Sequence, residues 1–192
     1  IGHGLSSAPE MVITKRRNNG TDYWSVYHAS AGQGYLSLND AGAYNSGSDR
    51  WGTNAPTSSV MNLGYAGSTN ASGGTYISYA FHSVSGYSKF GSYTGNGASS
   101  GPTITTGFRP AFVMVKNADS SGNGWYIFDS TRSTFGVANE ALDANDTTTE
   151  QNYTVVEFLS NGFKIHGTYG FSNTNGEKHI YMAFAGGMDS IS

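Results

Sequence analysis

The chain has 192 residues, 37% of them hydrophobic and 14% aromatic, enough to bury one good core or two small ones and too apolar for disorder. Only 12% are charged and the net charge is −3, so there is no electrostatic footprint for nucleic acid. No apolar run approaches the ~18 residues of a membrane-spanning helix, and without cysteine there is no disulfide, thiolate nucleophile or zinc–cysteine site.

Polarity comes instead from Gly, Ser, Thr and Asn, a mixture that suits short strands joined by tight turns. The chain opens on Ile1 with no secretory leader, and reads as a piece of a longer protein.

Along the chain, "MVIT" (11–14) is a short β-branched run expected to form a central strand. The turn-rich "RRNNGTD" should fold "YWSVYH" (23–28) back onto it as a hairpin. "AYNSGSDRWG" (43–52) is loop-like and concentrates Tyr44, Asn45, Asp49, Arg50 and Trp51. That assortment of an aromatic face with planar hydrogen-bonding groups is the chemistry that holds sugars, and it makes these five the first candidate contacts. Trp51 has an equal reading as the anchor that seats the loop in the core. "TYISYAF" (75–81) reads as a strand with Ile77, Tyr79 and Phe81 on one inward face. "YSKFGSYTGNG" (87–97) is a further strand and turn, with Tyr87, Phe90 and Tyr93 structural.

From residue 109 the pattern starts again. "RPAFVMVK" (109–116) matches "APEMVITK" (8–15) at an offset of 101, and the same offset places Trp24 on Trp125 and His28 on Asp129. "NTNGEKHIYMAF" (173–184) matches "NASGGTYISYAF" (70–81) at an offset of 103. The order of motifs indicates an internal duplication of about 1–86 and 87–192. Between the matched parts the second half carries extra material. There "VVEFLSNGFKIHG" (155–167) predicts a hairpin closed by a two-residue type I′ turn at Asn161-Gly162. "VANEALDAND" (137–146) is the one stretch with a plausible helical turn. His166 and His179 read as outward-facing strand residues.

The expected fold is all-β: a single antiparallel β-sandwich over residues 1–192, its two related halves burying each other's faces, with two tandem small sandwiches as the alternative. No catalytic motif stands out: there is no nucleophile elbow, phosphate loop or paired-histidine zinc motif. The carboxylates at 140, 143, 146, 150 and 157 sit in one stretch, as a solvated surface would, rather than on separate strands facing a cleft. Asp119, Asp143 and Asp146 lie at spacings a calcium loop could use, in segments that are also ordinary turns; no other metal or cofactor is indicated. "DSTRSTFG" (129–136), with Arg132 and Phe135, offers a second and lesser candidate surface.

Taken together, "GHGLSSAPEMVITK", "FHSVSGYSKFGSYTGNG", "GPTITTGFRPAFVMVK", "LSNGFKI" and "YMAFA" resemble an uncharacterised domain family frequent in marine bacteriophage structural proteins. The resemblance runs nearly the full chain and carries no assigned functional residues. It implies a concanavalin-A-like (lectin/SPRY-type) sandwich on a virion surface, as in a tail fibre. It also implies trimeric self-association, and contacts with a host glycan or receptor and with other virion proteins. The function expected from residues and resemblance together is non-enzymatic receptor or glycan recognition. A capsid-decoration or tail-scaffold role and a polysaccharide depolymerase are the alternatives.

Overall fold

Two polar turns cut residues 11–37 into three short β-prone runs, and these fold on one another in succession. β1 (Met11–Arg16), β2 (Ser25–His28) and β3 (Gly32–Ser37) form an antiparallel meander. β4 (Tyr76–Phe81) joins the other side of β1, giving the order β3-β2-β1-β4. The computed structural model describes residues 1–133 and 137–186. Between β3 and β4 the chain makes a long irregular excursion with one short helix, α1 (Gly67–Asn70).

The remaining strands build a larger sheet. In chain order they are β5 (Ser88–Thr94), β6 (Ser100–Thr105), β7 (Pro110–Asn117), β8 (Trp125–Asp129), β9 (Val137–Asp143), β10 (Gln151–Leu159), β11 (Gly162–His166) and β12 (Lys178–Ala185), with a short helix α2 (Gly170–Asn173) before the last. Their spatial order is β5-β12-β7-β8-β9-β10-β11-β6, all antiparallel. The two edge strands, β5 and β6, are consecutive in the chain and approach each other. The sheet therefore curls into a nearly closed, barrel-like form.

Three apolar clusters follow from this arrangement. Val113, Val115, Phe128, Val155, Phe163 and Ile165 are among the residues filling the interior of the curled sheet. Met11, Ile13, Val26 and Leu36 of the small sheet meet Phe90, Met114, Trp125 and Ile180 of the large one. Val12 and Tyr27, on the far side of the small sheet, are covered by Trp51 and Met61 from the excursion. β1 and β7 are thus buried on both faces, which is why "MVIT" and "FVMV" read as unbroken apolar runs instead of alternating ones.

The hairpins expected around the two Trp strands are present, and they share a register. Met11 faces His28 on one side and Phe81 on the other; Phe112 faces Asp129 and Phe184. The rest differs between the halves. The large sheet gains β5, β6, β10 and β11, whereas the first half has the irregular excursion after β3, the counterpart of β9.

Several local expectations are corrected. Residues 137–143 form β9 and not a helical turn, because β8 and β10 flank the segment and take its backbone hydrogen bonds. The β10–β11 hairpin forms, but Leu159 faces Gly162, so its loop residues are Ser160 and Asn161. No non-glycine among the described residues has positive φ, which rules out the type I′ turn. Gly162 is required for another reason: a Cβ there would stand 2.0 Å from the Ile104 carbonyl oxygen on β6. Ile77 and Tyr79 lie on the inward side of β4 but are 39% and 46% exposed, because β4 is an edge strand; their counterparts Ile180 and Met182, on a strand flanked on both sides, are buried. His179, expected to face outward, is buried and stacked on Tyr93 with ring centroids 5.2 Å apart.

Candidate functional site

The excursion after β3 is pinned back onto that strand by its own backbone. Tyr35 and Asn45 exchange a pair of N–H···O bonds of 2.8 and 2.9 Å. Only glycine permits the approach, since a Cβ at Gly34 would lie 1.9 Å from the Asn45 carbonyl oxygen. Arg50 is fixed next: its carbonyl accepts from the Gly64 N–H at 2.8 Å and from the Thr69 hydroxyl at 3.0 Å. Its side chain therefore runs under the loop and reaches the end of β3.

There the guanidinium is held by its surroundings rather than by a carboxylate. Nη1 donates to Ser37 Oγ at 2.8 Å, with longer contacts to Ser25 Oγ and the Leu36 carbonyl. The Arg50 guanidinium carbon lies 3.8 Å from the Tyr35 ring centroid and 5.1 Å from that of Tyr23, both within cation–π range. Burial lowers the Arg50 pKa from the ordinary arginine value, offset in part by Tyr35, Asp49, Tyr23 and Asp40. At neutral pH the group remains a cation.

This cation sits at the wall of a cavity of about 240 Å³ lined by Tyr23, Tyr35, Ser37, Asp40, Asn45 and Arg50 among others. The volume is just below the ~300–1,000 Å³ of drug-sized sites, which suits a single small polar ring. The lining supplies a donor-only guanidinium, an acceptor-only carboxylate, an amide and hydroxyls, the set needed to grip a molecule whose hydroxyls both donate and accept.

Of the sequence candidates, Arg50 and Asn45 line this cavity. Asn45 is exposed at the rim, with its Oδ1 accepting the Gly47 N–H at 2.7 Å. Asp49 is half-buried beside it. Tyr44 turns away: its hydroxyl accepts the Gly34 N–H at 2.7 Å and its ring packs in the inter-sheet cluster. Trp51 is 2% exposed and meets Tyr27 edge-on, so its ring anchors the loop from below and offers no stacking face. Arg132 follows β8, a strand's length from the β7–β8 turn that abuts the cavity, and is engaged by Asp129 at 2.5 Å and Glu150 at 2.6 Å. Phe135 lies outside the described residues.

Each calcium candidate accepts a backbone hydrogen bond, Asp143 and Asp146 within their own turns and Asp119 from a distant strand. Asp119 Oδ2 accepts the Lys178 N–H, Asp143 Oδ1 that of Asn145, and Asp146 Oδ1 that of Thr147. Among the described residues no three His, Cys, Asp or Glu side chains are grouped to hold a metal ion.

Sequence reasoning missed Tyr23, Tyr35, Ser37 and Asp40. Tyr35 and Ser37 are two apart on β3 and so share a face, a signal visible in "GYLSLND". Nothing in the sequence indicated that Arg50 would cross to that face.

Residues 1–187 match a protein-family model described as a domain of unknown function, DUF7483. The chain belongs to the DUF7483 family. No curated protein and no solved structure matches it. The cavity at Arg50 is thus a feature of a DUF7483 domain read from its own geometry.

Proposed function

We propose that this domain is a non-enzymatic recognition module that binds a glycan or glycan-bearing receptor in the Arg50 cavity. In this reading it works on a bacteriophage particle, in the tail-fibre manner implied by the motif resemblance. The observation that carries the proposal is a buried guanidinium flanked by two tyrosines at the wall of a small cavity that also holds Asp40 and Asn45. Such a combination orients hydroxyl pairs with fixed hydrogen bonds and needs no nucleophile or metal. The shared register of β2-β1-β4 and β8-β7-β12 supports an origin by internal duplication within a lectin-like architecture. The first half then gave up strands for the loop that carries the site.

A second reading rests on a different surface. Ile77, Tyr79, Val84 and Tyr87 are exposed around the edge strand β4, and Tyr87 contacts Phe184, which contacts Phe81. Exposed apolar side chains beside an edge strand suit docking to another virion protein.

A glycan array probed with the purified chain separates the two. Binding to a defined subset of glycans supports recognition. Silence across the array, together with tight binding to a virion protein, would overturn it in favour of the structural role.

A further inference from the structure

We infer that the ligand of the Arg50 cavity is an acidic sugar, held with its carboxylate on the free edge of the guanidinium and a ring hydroxyl on Asp40. This rests on the recognition reading above and narrows it to a ligand class. Arg50 is only 7% exposed, yet among the described residues no carboxylate oxygen lies within 4.0 Å of it. Its hydrogen bonds all leave from Nη1. Nε and Nη2 donate to none of the described residues, and these two nitrogens form the edge that pairs bidentately with a carboxylate. A buried cation with no carboxylate in contact is costly, and an anion seated on that edge offsets the cost.

Asp40 decides what kind of anion. Asp40 lines the same cavity and accepts the Gly42 N–H through Oδ1 at 2.8 Å, leaving lone pairs for further donors. Its charge disfavours a compact anion that brings no hydroxyl, such as acetate or phosphate. A uronic or nonulosonic acid ring brings both groups, and satisfies the donor-only and acceptor-only walls together. Because Coulomb attraction falls with distance, contact with Arg50 outweighs repulsion from Asp40 across the cavity.

The test is calorimetric titration of the full chain with methyl glycosides of glucuronic, galacturonic, mannuronic and N-acetylneuraminic acids. Each is compared with the neutral analogue in which the carboxylate is reduced to an alcohol. At least one acid should bind about tenfold or more tightly than its neutral analogue. Arg50→Gln should erase that preference, and Asp40→Asn should widen it by removing the repulsion. Asp40 lines the cavity and is not part of the core, so its variant remains informative if Arg50→Gln fails to fold. Equal affinity for acid and neutral forms, or a preference unchanged or narrowed in Asp40→Asn, overturns the inference and leaves glycan recognition standing. No binding by any acid in the panel also overturns it; the recognition reading is then decided separately by the array.

Discussion

His28 shows how much one side chain can carry at the junction of the two sheets. Its Nε2 donates to the Tyr181 carbonyl on β12 at 3.2 Å, while Nδ1 accepts the Ser30 N–H at 3.3 Å, so the neutral ring uses both nitrogens. Burial lowers its pKa to about 4, with the Tyr181 carbonyl and Glu10 acting the other way. The unfolded chain takes up a proton on this ring near the ordinary value of 6.5, and the folded chain does so only near 4. Stability linked to His28 is therefore complete above about pH 6.5 and falls as the pH drops towards 4, by about 3 kcal/mol in all. Urea unfolding of the wild type and His28→Gln at pH 7 and pH 4.5 checks this. The variant should start less stable and lose less on acidification; equal losses would contradict the assignment. At this scale the site was half legible. The loop composition around Asn45 and Arg50 pointed to the segment that lines the cavity. Tyr23 and Tyr35 were missed because the path of the Arg50 side chain is set by the fold and not by its neighbours in sequence.

Among the elements, matched hairpins use matched clasps. Lys15 Nζ donates to the carbonyls of Gly20 and Asp22 in the β1–β2 turn, and Lys116 Nζ to those of Asn117 and Asn123 in the β7–β8 turn, each at 2.8 Å in the second case. Lys116 is wholly buried, and burial pushes its pKa down to about 8. Hairpin pairing around the two Trp strands was readable because short β-branched runs bounded by turn residues have few alternatives. β9 was not, because its helix-compatible residues become a strand only between β8 and β10. At the β10–β11 hairpin the Asn-Gly pair marked the turn to within one residue, but its loop is Ser160-Asn161 and the need for glycine comes from β6. Gly162→Ala should drive β6 from β11 and cost more than ~2 kcal/mol in unfolding free energy. Denaturant titration checks this, and a loss below a few tenths would show that the strands part easily.

For the whole molecule, curling of the large sheet and irregularity of the first half belong together. Asn173 at the end of α2 donates to the carbonyls of Ala98 and Gly167, each at 2.8 Å, and accepts the Asn96 N–H at 2.9 Å. It thereby ties the β5–β6 turn to the end of β11 and draws the sheet edges together. The small sheet has no such closure, and a loop takes its outer face, bringing Arg50 beneath β3 and opening the cavity. The repeat in the sequence pointed to two equal halves. What it could not show was that the second half would curl on itself while the first gave way to a loop around the Arg50 cavity. Under the proposed function, the Arg50 cavity is where this domain meets a sugar. Backbone-amide NMR of the ¹⁵N-labelled chain, titrated with the strongest-binding glycan from the array, tests it most directly. Saturable shifts are expected at Tyr23, at Tyr35 to Asn45 and at Arg50. Shifts confined to residues 77–87, with the cavity residues unmoved, would contradict it.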